Sequence, residues 1–399
     1  MKKQAPSNLK QQQEAIFALS GKYIKGRKKE KSEILDFLVT HMGMERDHLA
    51  RTLRRMGQEN TASWRVSLRG RKPEYCDLCV RHLEKLYVLM GRMGAEKMKA
   101  AMPVWLPHYV SEHGVSEAIA RKLEQVSART MGRLLKPFKD REFKSGNSQT
   151  RKPRGFAYKD KIPVPDMSTK PTSPGYFQGD TVAHHGHSLL GPHHWSLTAT
   201  DVFTTWTENE VIADKSGQST LDAIIAIQQR LPFRMYHWHD DCGTEFMNET
   251  VEKGLADPKN YVVQTRGRPY KKNDQCYVEQ KNFTHVRELL GYFRYDTAEE
   301  LELIQDIYRN EWRLLMNYFT PQRKMIKKYK VGSRYKREYD ELQTPYQRVL
   351  ASRHVSDIEK RKLKQTFQAL NPLALRASLL RKLSKLRLLK QRSEQKEAV

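Results

Sequence analysis

The sequence predicts a mixed α/β core between about residues 176 and 320, set between an all-α N-terminal region and a basic C-terminal region. Three observations predict it. Up to about residue 137, apolar residues recur at helical spacing. Over 138–175 that periodicity disappears and Pro, Gly, Ser and Lys dominate. From 176 on, three strand-like stretches, a helix, a strand and further helices follow one another, which is an α/β order.

The N-terminal region, residues 1–70, reads as a helix-turn-helix unit. ILDFLVTHMGMERDHLARTLRRM places Ile34, Leu35 and Leu38, then Leu49, Leu53 and Met56, at helical spacing, with Gly43 available for the turn between them. The second helix is expected to show Arg46, Arg51, Arg54 and Arg55 outward, the chemistry that suits phosphates and guanine edges. An ordinary helical hairpin with a solvated basic face would carry the same pattern. Residues 71–137 read as a second helical DNA-binding unit. There Ser127 can cap a helix that shows Arg129 and Arg133 and turns Met131, Leu134 and Leu135 inward. CDLCVRH, residues 76–82, has the Cys-x-x-Cys of a zinc site. It lacks two further ligands at suitable spacing, so a packed helix is expected there. Residues 138–175 are a basic linker.

Within the core, YFQGDTVAHHG begins a strand and HWSLTATDVFTTWTENEVIA holds two more. LDAIIAIQQRL, residues 221–231, is helical, and RMYHWHD is a short strand. VEQKNFTHVRELLGYF reads as a helix with Val278, Val286 and Leu290 on its core face. Residues 321–399 form a basic C-terminal module and helical tail. FTPQRKMIKKYKVGSRYKREYD interleaves Tyr with Lys and Arg, as an arm against DNA would. RASLLRKLSKLRLLKQ is a basic amphipathic helix suited to DNA or to self-association.

The charge balance points to a polyanionic partner. The 399 residues carry 72 Lys and Arg against 46 Asp and Glu, a net charge of +26. Such a surface gains affinity by displacing counterions from phosphates. Four cysteines (Cys76, Cys79, Cys242 and Cys276) are too scattered for a disulfide framework. MKKQAPSNLKQQQ lacks the apolar stretch of a signal peptide. No run of about 18 apolar residues is present, so no membrane association is expected. The expected location is cytoplasmic and nucleoid-associated.

Phosphodiester chemistry on two divalent ions needs several carboxylates brought together from different elements. Asp180 lies inside a core-like strand, where an acid is costly unless paired or bound to a cation. Asp240 and Asp241 end the short fourth strand, and Glu279 opens a helix. These elements can converge at one edge of a sheet. Alternation alone leaves the two aspartates undecided, because neighbours in a strand face opposite ways.

PGYFQGDTVAHHG, TDVFTTWTE, DCGTEFMNE, TRGRPYKKNDQCYVEQKNFTHVRELLGYFRYD and TPYQRVL, across roughly residues 170–350, resemble the DDE transposases, the integrase catalytic core family with a ribonuclease H-like fold. The later stretches are similar to those of bacterial insertion-sequence transposases. Sixty residues separate Asp180 from Asp241 and 37 separate Asp241 from Glu279, as in that family. The resemblance implies that Asp180, Asp241 and Glu279 are the catalytic residues and hold two Mg²⁺ ions, with Mn²⁺ able to substitute. Asp241 fits the motif Asp-x-Gly-x-Glu-Phe, so it is the ligand by resemblance and Asp240 its neighbour. Cys242 stands where the family commonly has Asn. Asp201 is left out of the ligand set, and Glu245 is expected to hydrogen-bond near the turn. His184, His185, His187, His193 and His194 straddle an expected hairpin turn and are read as polar turn residues. Arg268, Lys271 and Lys272, before the last helix, are expected to hold phosphates, and Lys281 and Asn282 to touch DNA near the cut. The implied activity is cleavage at the ends of a mobile element and joining of the 3′-hydroxyl ends to target DNA. The implied partners are terminal repeats, target DNA and further copies of the chain in a synaptic complex. A catalytically silent DNA-binding regulator is the alternative, and a structure-specific nuclease on the same fold is a third reading.

Overall fold

The structure, a computed structural model, describes residues 9–58, 74–142, 162–163, 171–188, 190–268, 276–331 and 333–397. The chain divides into two compact units, Met1–Glu74 and Tyr75–Val399.

The first unit is a bundle of α1 (Leu9–Lys25), α2 (Lys28–Met42) and α3 (Arg46–Gln58). Ile16, Tyr23, Leu35, Leu38, Leu49 and Leu53 form its core. Gly43 ends α2 at φ +64°, and its N–H donates to Val39 O at 3.0 Å. A left-handed residue at that place closes the helix, and glycine takes it without a Cβ clash. The two helices expected from Ile34 to Met56 are therefore present, and α1 completes their core.

The second unit begins with α4 (Asp77–Leu89), α5 (Ala95–His113), α6 (Glu117–Gln125) and α7 (Ala128–Glu142). Thr130 N donates to Ser127 Oγ at 3.2 Å, the expected cap of α7, and Met131 and Leu135 are buried. Cys76 and Cys79 sulfurs lie 3.3 Å apart at the start of α4, and the His82 ring is hydrogen-bonded to Tyr109 at 2.9 Å. These four helices are not a separate body. Their core runs on into helices that follow the sheet, and Trp105 Nε1 on α5 donates to Phe319 O at 3.3 Å.

The sheet is built from β1 (Tyr176–Ala183), β2 (Trp195–Asp201), β3 (Thr207–Ile212), β4 (His237–Asp240) and β5 (Val263–Arg266), with α8 (Gly217–Gln229) and α9 (Glu249–Ala256) between the later strands. Its order is β3-β2-β1-β4-β5. The first three strands are antiparallel neighbours, while β4 runs parallel to both β1 and β5. Phe177 and Trp238 are fully buried on one face under α8 and α9, each contributing roughly 2–3 kcal/mol by burial. Gly179 is required there, since a Cβ would come within 2.0 Å of the Trp238 ring. Ile162 joins the same core, and Arg266 N donates to Pro163 O at 3.0 Å, so part of the expected linker is stitched to the sheet edge.

A long helical passage covers the other face: α10 (Cys276–Lys281), a π-helical turn over Asn282–Arg287, α11 (Glu288–Leu290), α12 (Ala298–Ile307), a second π turn over Tyr308–Trp312, and α13 (Arg313–Tyr318). Val278, Val286 and Leu290 are buried, as their spacing predicts. A two-stranded ribbon follows, β6 (Met325–Val331) and β7 (Arg334–Tyr339), then α14 (Pro345–Ala351), α15 (Asp357–Ala369) and α16 (Pro372–Glu397). The apolar stripe of α16 does not wait for a partner. Leu373, Leu379 and Leu386 are buried in the chain's own core, and Lys382 Nζ pairs with Asp306 at 2.5 Å and Glu311 at 2.8 Å. This mixed sheet flanked by helices fits a ribonuclease H-like core. Among the described residues, no helix is long and apolar enough to cross a membrane.

Candidate active site

The register of β1 and β4 sets where Asp240 lies relative to Asp180. Gly179 on β1 is level with Asp240 on β4, and Phe177 is level with Trp238. In-register residues of parallel neighbours share a face, so Asp240 belongs to the Phe177–Trp238 face. Asp180, the next residue of β1, belongs to the opposite face, and Asp241 lies just past the end of β4, near enough for its charge to act on Asp180. Asp240 is fully buried and accepts a hydrogen bond from Gln264 Nε2 at 2.8 Å. Its burial pushes its carboxyl well above the usual carboxylate range.

Asp180 is pushed up to about 8, first by burial and then by the Asp241 carboxylate, with Glu245 adding to the effect. Two hydrogen bonds oppose this shift. Thr181 N donates to Asp180 Oδ1 at 2.8 Å, and Asn282 Nδ2 donates to Asp180 Oδ2 at 2.5 Å. Asp241 Oδ1 accepts from Gly243 N at 2.8 Å, which folds the chain back so that Glu245 approaches the pair. A Cβ at Gly243 would meet Glu245 Oε2 at 2.7 Å and Asp241 Oδ1 at 2.8 Å and would push these carboxylates aside. Glu245 is almost fully buried and accepts from Thr181 Oγ1 at 2.6 Å and from Lys215 Nζ at 2.7 Å. Lys215 is itself seated 4.3 Å from the centre of the Trp195 ring. Glu245 and Lys215 were not expected beside Asp180. The Gly-x-Glu-Phe turn carried the signal for Glu245, and nothing in the sequence marked Lys215.

Helix α10 lies over β1 at this point. Tyr277 N donates to Gln178 Oε1 at 3.1 Å, and Asn282 reaches Asp180, so the helix is fastened to β1 on either side of Glu279 in the chain. Glu279 is exposed. Among the described residues, no group of three His, Cys, Asp or Glu side chains is gathered closely enough to hold a metal ion. The structure thus brings Asp180 and Asp241 together and leaves Glu279 on the adjacent helix. The donor set suits a hard divalent cation. Asp180 and Asp241 are half-buried and their carboxylates repel each other, and an oxygen-bound divalent cation would relieve that repulsion.

The other expected residues fall in different places. Asp201 ends β2 and holds the turn that follows: Gly175 N donates to it at 2.8 Å, and Thr204 N and Oγ1 each donate at 2.6 Å. His184 is buried, with its Nε2 2.6 Å from Ser196 Oγ, and His194 Nε2 is 2.8 Å from Thr297 O. Lys281 is half-buried and turned to Gln322, and burial beside Lys97 and Arg348 lowers its ammonium to about 7. Arg46 pairs with Asp36 and donates to Ser32 Oγ at 2.6 Å. Arg51, Arg54 and Arg55 are exposed on α3, as are Arg129 and Arg133 on α7. Arg268 is exposed just beyond β5, and Lys271 and Lys272 lie outside the described residues.

No protein-family model matches the chain. Among solved structures, it resembles the catalytic core domain of BIV integrase at 19% identity and a TM-score of 0.30, over 45% of this chain and 96% of that one. A chain of the simian T-cell lymphotropic virus intasome in complex with PP2A regulatory subunit B56 gamma is 16% identical at a TM-score of 0.31, over 54% of this chain and 70% of that one. The HTLV-2 integrase catalytic core domain in complex with magnesium is 14% identical at a TM-score of 0.28, over 38% of this chain and 93% of that one. In sequence, the chain is 31% identical over 330 residues to "Uncharacterized protein y4rM" of Sinorhizobium fredii, covering 82% of this chain and 91% of that protein. The chain belongs to the same family as y4rM.

Proposed function

We propose that the protein is a DDE-type transposase, which cleaves DNA at the ends of a mobile element and joins the freed 3′-hydroxyls to target DNA. The observation that carries this reading is the approach of Asp241, just past the end of β4, to Asp180 on the neighbouring strand β1, beneath a helix that bears Glu279 and is tied to Asp180 through Asn282. Asp180, Asp241 and Glu279 would hold two Mg²⁺ ions. Divalent ions so held supply Lewis-acid activation of a phosphodiester and stabilise the leaving oxygen.

The protein's own groups position the reaction. The carboxylate pair fixes where the scissile phosphate sits. Asn282 holds Asp180 in one orientation, and the Glu245–Lys215 pair closes the inner side of the site. Water attacks a phosphate at the element end and releases a 3′-hydroxyl, which then attacks a target phosphate in line. Neither step needs a protein nucleophile. The exposed arginines of α3 and α7 would recognise element ends, and two or more copies would hold two ends together.

The exposure of Glu279 favours one other reading, a DNA-binding regulator without cleavage. One experiment separates them. Purified protein is incubated with Mg²⁺ and DNA flanking its reading frame, and strand breaks are mapped for the wild type, Asp241→Asn and Glu279→Gln. Breaks at defined ends that vanish in both variants support the transposase. Specific end binding without metal-dependent breaks supports the regulator.

A further inference from the structure

The β6–β7 ribbon is anchored at its root and carries exposed cations on both strands. At the root, Lys324 N donates to Asp340 Oδ1 at 2.6 Å and Asp340 N returns a bond to Lys324 O at 3.0 Å. Arg348 clamps both sides of the root, Asp340 Oδ2 at 2.5 Å and Gln322 O at 2.9 Å. Beyond it, every residue of β7 is exposed, and so are Lys327, Lys328 and Lys330 of β6. An isolated two-stranded ribbon is marginal in water, and this one exposes Ile326, Val331, Tyr335 and Tyr339 among its cations.

The strand register sorts its charges. Lys328 is level with Arg337 and Lys330 with Tyr335, which puts Lys328, Lys330 and Arg337 on one face. Lys327, Arg334 and Lys336 share the other, with Glu338 the ribbon's lone carboxylate. A ribbon meant to pack on protein would be apolar on at least one side. This one presents three cations on each, and its tyrosines support them, with Lys328 Nζ 4.9 Å from the Tyr335 ring centre. A partner that bears phosphates on both sides of the ribbon satisfies both faces. The DNA major groove is about 12 Å wide, admits a two-stranded ribbon and is walled by two phosphate strands.

We propose that the β6–β7 ribbon is a DNA-binding arm that seats in a groove of duplex DNA. The proposal deepens the transposase reading and rests on it for the choice of DNA as partner. The root also joins the ribbon to the candidate active site. Gln322 accepts a hydrogen bond from Lys281, the last residue of α10, the helix that carries Glu279. DNA held on the ribbon is thereby registered against that helix.

The test uses the full chain carrying Asp180→Asn, so that DNA is bound and not cut. Duplex affinity is followed across a salt series for this protein and for two further variants. One adds Lys328→Gln, Lys330→Gln and Arg337→Gln; the other adds Lys327→Gln, Arg334→Gln and Lys336→Gln. Thermal unfolding checks that the exposed substitutions leave the fold intact. Each triple variant is expected to flatten the slope of log affinity against log salt by roughly 2–3, at about 0.9 for each phosphate the ribbon no longer neutralises. An unchanged slope in both overturns the arm, and a change confined to one overturns groove seating. Duplex RNA competing as well as DNA also overturns it, because the RNA major groove is too narrow to read. Failure of the wild type to cut DNA, with ribbon-dependent binding intact, would remove the transposase reading and leave the arm standing.

Discussion

Asn282 Nδ2 donates to Asp180 Oδ2 at 2.5 Å, joining the helix of Glu279 to the central strand of the sheet. The bond spans 102 residues and opposes the rise in the Asp180 pKa caused by burial and by Asp241. Asn282 also begins a π-helical turn, a geometry often found at functional sites. Its first role is thus to orient a carboxylate, a part a neutral amide plays better than any cation drawn inward to the same place.

Asn282→Ala is expected to lower metal-dependent DNA cleavage roughly tenfold to a hundredfold, the usual effect of removing a group that orients a metal ligand. The loss is expected to shrink as Mg²⁺ is raised. A magnesium titration of cleavage checks this. A variant whose activity falls equally at all magnesium concentrations would mean that Asn282 touches the DNA instead.

Asp240 and Asp241 are expected to separate cleanly. Asp240 is buried, held by Gln264, and its burial pushes its carboxyl well above the usual carboxylate range, so Asp240→Asn keeps the shape and the Gln264 contact while removing a charge that the site disfavours. It is expected to keep at least about a third of the cleavage rate and to unfold within about 1 kcal/mol of the wild type. Asp241→Asn removes a proposed ligand and is expected to cost about a thousandfold or more in rate, a loss of about 4 kcal/mol in transition-state stabilisation. Initial rates of strand cleavage for the two variants decide it.

That distinction shows what the sequence could and could not convey. The first four strands, α8 and the buried face of α10 were legible because hydrophobic period and turn residues are local signals. Where Asp240 lies relative to Asp180 depends on pairing Gly179 with Asp240, a contact between strands about sixty residues apart that no local pattern encodes. Strand β5 escaped notice because Val263–Arg266 holds a single apolar residue and so carries no apolar pattern. Helices α4–α7 read as a separate unit because amphipathic spacing reveals that a face is covered but not by what. Their cover is the chain's own C-terminal helices. The same limit applies to Lys281, whose charge suggests a phosphate while its position turns it to Gln322.

Edge strand β3 is held by a buried ion network. Arg230 Nε lies 2.8 Å from Glu208 Oε2 and its Nη2 lies 2.6 Å from Glu210 Oε2, with Arg313 and Arg309 completing the set. Arg230→Ala removes the guanidinium shared by two buried carboxylates, leaving Arg313 on Glu208 and Arg309 on Glu210, and is expected to destabilise the fold by about 1–3 kcal/mol. Lys253→Ala breaks an exposed pair with Glu249 and is expected to be near neutral. Denaturant midpoints of the two variants make the comparison.

Acid sensitivity should trace to buried histidines. His184 is held neutral, its pKa lowered to about 3 first by burial and then by Arg287 and the neighbouring histidines. Its ring is enclosed by Ser196 and the Tyr295 ring, and Ser196 passes the hydrogen bond on to Tyr308 at 2.7 Å. His285 is lowered in the same sense by burial beside Lys281 and Lys97. A depressed pKa in the folded state means that the stabilisation is complete above the unfolded value, near 6.5, and is lost as pH falls from there toward about 3. Between pH 7 and pH 5 His184 is expected to remove about 2 kcal/mol. His184→Gln keeps a polar group within reach of Ser196 and cannot be protonated, so it is expected to flatten the stability–pH curve by about that amount over the same interval. Denaturant unfolding of the wild type and the variant across that range is the measurement. Parallel curves would mean that His184 has the same pKa in the folded and the unfolded protein.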